Sequence, residues 1–192
     1  MAEDINNNFS LNLATEKDVA SLLMLQEAFH KYSPPEKREY SFAYEITNDS
    51  FSEVDFRNIV WKNECVILIY GDIPVGYMLI DTCSETQGLK DYKLAINQLI
   101  EEEKMDEEMN STARLIEVLN PSLYKDELHE VRWQMLASMI FYTREKYKGL
   151  CYVFFTNADT LMEKIGLGWK IAFDNGLYFF MVWEFSRLNN DQ

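Results

Sequence analysis

The sequence predicts an α/β fold of the α+β kind, with a mixed, mostly antiparallel central sheet of about six to seven strands and helices on both faces. Three observations predict it. Short apolar or alternating runs recur along the chain, each bounded by Gly, Pro, Asn or Asp. Longer stretches with apolar residues at helical spacing lie between them. Two connections carry hairpin signatures, whereas residues 114–148 read as a strand, a Pro-marked turn and a long amphipathic helix that leads into another apolar run. The expectation is a single domain over residues 1–192, interrupted by an acidic helical insertion at about 84–112.

FSLNLA (9–14) alternates apolar and polar residues, as a half-buried strand should. Thr15 follows as an N-cap with Asp18 three residues on, close to a capping box. Val19, Leu22, Leu23, Gln26 and Phe29 share one helical face, and Ser33-Pro34-Pro35 stops that helix. Residues 36–50 are irregular and carry Tyr40, Phe42 and Tyr44. A second helix is expected from about Ser52 to Trp61, with Ser52 and Asp55 as its capping pair. CVILIY (65–70) and VGYMLID (75–81) flank Gly71-Asp72-Ile73-Pro74, a hairpin signature. Within the insertion, Leu89, Tyr92, Ile96 and Leu99 form an apolar stripe, and EEEKMDEE (101–108) adds six acids against one lysine.

Arg114 to Leu119 is the next strand, and a strand feeding a helix through a tight turn aims backbone N–H groups at one spot, a common way to cradle phosphate. Leu128, Val131, Met135, Met139 and Tyr142 mark the buried face of the following helix, with Gly149 as the residue that ends it. CYVFF (151–155) is wholly apolar, as a central strand covered on both faces should be. Thr156 or Asn157 caps a short helix ending at Gly166. Trp169–Phe173 and Leu177–Phe185 make a closing hairpin across Asp174-Asn175-Gly176.

The chain carries 32 acids against 18 bases, a net charge of −14, which argues against nucleic acid or an anionic membrane surface as the main partner. No apolar run approaches the ~20 residues a bilayer span needs. The N-terminal MAEDINNN has neither the basic nor the apolar segment of a signal peptide. Cys65, Cys83 and Cys151 have no framework spacing and suit buried thiols in a reducing cytoplasm.

LNLATEKDVASLL, VILIYGDIPVGYMLID (with its Gly–Pro-Val-Gly turn pattern), RLIEVLNPSLY and NADTLMEKIGLGWK stand in an order and at spacings that resemble the GNAT acetyltransferase superfamily over residues 9–185. That resemblance implies acyl transfer from acyl-CoA, the acyl group being an acetyl, to a small-molecule or peptide amine. It implies that the fourth and fifth strands splay apart and that the pantetheine arm lies on the fourth strand's exposed backbone. Carried over, Val118 and Leu119 supply backbone contacts, Lys125 lies at the phosphate turn, and Asn157 matches the asparagine that opens the family's next helix. Glu117 stands where many members place a general base or water-orienting carboxylate. Its other reading is an ordinary strand glutamate facing water or a base, and six strand residues do not choose between the two.

The family's glycine-rich pyrophosphate loop has no counterpart. Counting from Pro121, its key positions fall on Tyr124, Glu127 and His129, or one residue later on Lys125, Leu128 and Glu130. A carboxylate ~6 Å from a phosphate charge costs roughly 0.7 kcal/mol at water's dielectric and ~3 kcal/mol at an effective 20. Asp126, Glu127 and Glu130 also suit an ordinary helix start, so the turn reads more as a helix cap than as a diphosphate cradle. Met162 falls where the family often has a tyrosine that protonates the departing thiolate.

With His30 and His129 as the only histidines and no Cys-x-x-Cys, a zinc site is not expected. Asp106, Glu108, Asn110 and Glu117 echo calcium-loop spacing, but Ser111 replaces the required Gly. Two functions follow. One is an N-acyltransferase using acyl-CoA or an acyl carrier protein. The other is a catalytically inactive protein of the same fold, acting through protein contacts at the acidic insertion, which joins the sheet at the end opposite the phosphate turn.

Overall fold

The computed structural model describes residues 9–32, 50–82, 87–105, 107–119, 125–155, 169–174 and 178–184. Seven strands form one sheet in the order β1-β2-β3-β4-β5-β7-β6. They are β1 (Phe9–Leu13), β2 (Cys65–Tyr70), β3 (Ile73–Ile80), β4 (Thr112–Leu119), β5 (Gly149–Phe155), β6 (Lys170–Asp174) and β7 (Tyr178–Glu184). Every neighbouring pair is antiparallel except β4–β5, which is parallel. The helices are α1 (Val19–Tyr32), α2 (Glu53–Trp61), α3 (Gln87–Glu101) and α4 (Lys125–Thr143).

Local chemistry sets the element ends. Thr15 donates from its backbone N and its Oγ1 to Asp18 Oδ2 at 2.8 and 2.7 Å, opening the turn that leads into α1. Ser52 and Asp55 cap α2 reciprocally, at 2.8 Å from Ser52 N to Oδ2 and 3.2 Å from Asp55 N to Oγ. Asn63, with φ 58°, closes α2 in the left-handed conformation that Asn tolerates. The β2–β3 hairpin turns on Gly71 and Asp72, with Gly71 at φ 60°. Strand β3 therefore starts at Ile73, two residues before the expected start, and a register shift opposite Leu68/Ile69 leaves Val75 as a bulge.

Alternation along the strands divides the core in two. Val66, Leu68, Met78, Ile80, Leu115 and Leu119 pack with Val131, Met135 and Met139 of α4. Ile67, Tyr77, Leu79, Ile116 and Val118 pack on the other face with Leu22 of α1 and Phe56 of α2. A third cluster joins Leu89, Tyr92, Ile96 and Leu99 of α3 to Cys151 and Val182, so the predicted insertion stripe is its buried edge.

Two expectations for the long helix need correction. Helix α4 ends at Thr143, whose buried hydroxyl donates back to the Met139 carbonyl at 2.6 Å. Gly149 instead begins β5, paired to Thr112 on one side and Glu184 on the other. The next strand takes Gly149 because both its neighbours supply register partners there. Tyr142 is 37% exposed rather than buried, since Met139 and Ile140 already fill the face toward the sheet. The side chain of Leu128 and the short helix expected at 157–166 lie outside what is described.

Candidate functional site

Among the described residues the sheet opens between β4 and β5. Strands β4 and β5 pair only at Thr112↔Gly149, Ala113↔Leu150 and Arg114↔Cys151 among the described residues. Beyond that point β4 continues for five residues, Leu115–Leu119, held by β3 alone through Leu115↔Ile80 to Leu119↔Gly76. Strand β5 likewise continues to Phe155, paired only with β7. At ~3.3 Å per residue the open stretch of β4 is about 16 Å long. Every second residue along it turns an N–H and a C=O toward the gap, and buried backbone groups of that kind demand a partner. A fork of this shape suits an extended chain that carries its own amides.

The two sides of the fork differ. On one, Ile116 and Val118 are sealed beneath α1 and α2. On the other, Leu115 and Leu119 pack under α4, and Glu117, only 4% exposed, meets Arg132 of α4 with its Oε1 accepting from Nε at 3.0 Å. An ion pair this deep costs desolvation of both charges, so its geometry matters more than its net energy. It ties the second turn of α4 to the middle of the open strand.

Of the residues picked from sequence, the structure brings together Glu117, Val118 and Leu119 as consecutive residues of the open strand. Lys125 is the first residue of α4, placed where that helix's N–H groups are unsatisfied within the helix. Asn157 lies outside the described residues, as do Tyr40, Phe42 and Tyr44. Among the described residues no three His, Cys, Asp or Glu gather as metal ligands. Glu117, part of the calcium-like spacing, is engaged with Arg132 instead.

Sequence reading missed the base of the fork. Arg114, 3% exposed, donates to Asp81 at 2.6 Å, so the last residue of the parallel pairing is anchored to the end of β3. Tyr92 of α3 shares a 2.8 Å hydrogen bond with Thr112 and packs in one buried cluster with Cys151. Burial pushes that thiol up to about 12 and the Tyr92 phenol well above its ordinary value, with the Arg114 charge opposing both. Two charged residues, one closing and one opening an apolar run, were the available signal for a buried pair. Gln26 was placed on the apolar face of the first helix, but its bonding was missed. Its side-chain amide gives to and takes from the Phe51 backbone at 3.0 and 2.8 Å, fastening the end of the α1–α2 connection.

No family model and no curated protein sequence matches the chain. Solved structures do. The chain is similar to a GNAT-family acetyltransferase from Listeria monocytogenes, with 12% identity, a TM-score of 0.59, and coverage of 92% of this chain and 94% of the other. It is similar to the yncA protein of Salmonella typhimurium, solved with its cofactor acetyl-CoA, at 11% identity and TM-score 0.57 over 93% and 94% of the two chains. A third is the ribosomal-protein-alanine N-acetyltransferase of Brucella melitensis, at 15% identity and TM-score 0.54 over 91% and 99%. The chain has the GNAT fold. No described helix is long and apolar enough to cross a membrane.

Proposed function

We propose that this protein is an N-acyltransferase that moves an acyl group, an acetyl in the first instance, from acyl-CoA to an amine. The observation that carries the proposal is the end of β4–β5 pairing after Arg114↔Cys151 among the described residues, which leaves Leu115–Leu119 outside that pairing. An extended pantetheine arm, with two amides of its own, matches about 16 Å of such an edge. Of the neighbours Val118 and Leu119, the one whose backbone groups turn to the gap provides a partner near the mouth, and the N-terminus of α4 at Lys125 lies beside the anionic end of the donor. The donor supplies the activated acyl carbon. The amine nitrogen bonds to it as the carbon–sulfur bond breaks, the thiolate leaves with the sulfur electrons, and the amine's proton passes to a base.

Glu117 is our candidate for that base, acting directly or through one water. Its engagement with Arg132 sets up a clear test. A Glu117→Gln variant loses turnover and keeps donor affinity if the carboxylate takes the proton. If Glu117 serves only to anchor α4, the same variant weakens donor binding and thermal stability together. The acceptor is an amine on a small molecule or a peptide, the latter in keeping with the Brucella neighbour's name. The buried free thiols Cys65 and Cys151 fit a reducing compartment such as the cytoplasm.

A second reading has its own support: the turn after Pro121 has no glycine and is followed by Asp126, Glu127 and Glu130. In that reading the fold no longer takes a donor and works through protein contacts at the acidic insertion. Calorimetric titration with acetyl-CoA, a longer acyl-CoA and an acylated carrier protein separates the two. Saturable binding of any of them below the millimolar range supports transfer; no heat from all three supports the second reading.

A further inference from the structure

The insertion helix α3 lies where the two halves of the sheet are joined. Its buried edge packs Leu89, Tyr92, Ile96 and Leu99 against Cys151 of β5 and Val182 of β7. Tyr92 reaches further, sharing its hydroxyl with Thr112 of β4 at 2.8 Å from within the cluster that holds Cys151 of β5. Thr112 opens the three-pair parallel seam, and Cys151 is the β5 residue at its last pair, opposite Arg114. Arg114 is held in turn by Asp81 at the end of β3. Five elements, α3, β3, β4, β5 and β7, thus converge on the apex of the fork, and Tyr92 meets both of the strands that part there.

We propose that Tyr92 is a positioning residue for acyl transfer: it fastens β4 to β5 at the apex and so sets how far a thioester-bearing arm can travel into the fork. This inference rests on the transferase reading above. A seam of three pairs is short, and each pair that opens deepens the fork by ~3.3 Å. That distance separates room for an acetyl group from room for a butanoyl group. The phenol ring fills the α3 contact whether or not it carries a hydroxyl, so seam and packing can be tested apart.

The test uses the full chain with Tyr92→Phe, and Thr112→Val as a second variant that removes the same bond from the other side. The ratio of kcat/KM for butanoyl-CoA over acetyl-CoA is expected to rise on the order of tenfold in both. Amide hydrogen exchange at 149–151 should quicken, while the β2–β3 hairpin keeps its protection. A purely structural role for Tyr92 would lower the melting temperature and leave the donor ratio unmoved, and that result overturns the proposal. Should the wild-type chain neither bind nor turn over any acyl donor, the transferase reading fails and this inference fails with it. Wild-type turnover with an unchanged ratio in both variants removes this inference alone.

Discussion

Replacing Gly76 by alanine tests the fork from its outer side. Gly76 opposes Leu119, and a Cβ there would stand 2.5 Å from Leu119 Cδ2, 2.9 Å from the Val118 carbonyl oxygen and 3.4 Å from Leu119 Cα. The leucine tip can rotate away, but the carbonyl belongs to the strand itself, so β3 and β4 must separate by several tenths of an ångström. Overpacking of this kind costs about 1–3 kcal/mol, and the reduced freedom of the unfolded chain returns ~0.4–1. The clash wins, leaving a net loss of about 1–2 kcal/mol. For a chain of this size that is a fall of ~2–8 °C in melting temperature. Because β3 holds β4 on one side only at this level, the displacement carries Val118 and Leu119 toward the gap. Acetyl-CoA affinity should therefore drop by more than the stability loss alone explains. Differential scanning fluorimetry and calorimetric titration on one preparation would measure both. An unchanged melting temperature would refute the packing argument. A lowered melting temperature with unchanged donor affinity would show that the edge at Val118 and Leu119 is not where the donor lies.

Asp81→Ala removes a buried partner 2.6 Å from Arg114 and should cost about 3–5 kcal/mol, against a smaller loss when both residues become leucine; urea unfolding of the single and double variants checks the order. Burial raises the thiols of Cys65 and Cys151 and the phenols of Tyr77 and Tyr92 above their ordinary values. The folded chain therefore holds protons that the unfolded chain releases, so this stability is complete below pH 9.0 and drains away as pH climbs toward about 12. Melting temperatures should hold to about pH 9 and fall steadily from there to pH 11, and a thiol reagent at pH 8 should leave Cys151 unmodified until the chain unfolds. A flat profile or prompt labelling would contradict that account.

Much of the architecture was legible because the relevant forces are local. The Thr15–Asp18 and Ser52–Asp55 pairs cap helices through atoms three residues apart, and the Gly71 turn needs only its own backbone freedom. The stripe Leu89, Tyr92, Ile96, Leu99 declared its buried side by spacing alone. The splay of β4 from β5 was reachable only through resemblance, since nothing in RLIEVL or CYVFF says that their pairing stops at Arg114 and Cys151. Arg114 with Asp81, and Arg132 with Glu117, join residues 33 and 15 positions apart. Pairings of that reach depend on which face each strand turns, and six residues do not fix it. The end of α4 was misread for a related reason: Gly149 suits a helix stop, but pairing on both sides of β5 claimed it for the sheet.

The three-rung seam also bears on how the chain is built. Strands β1 to β4 neighbour one another in the order they are synthesised, and β5 to β7 form a second set joined to the first along that seam. A ribosome-bound chain exposed only to Leu119 already holds the pairings among the first four strands, while α4, which covers one face of them, and the second set, complete at Glu184, follow later. Nascent-chain force profiling should register two separate pulls, one for each set. A single late pull would mean that the halves acquire their shape together.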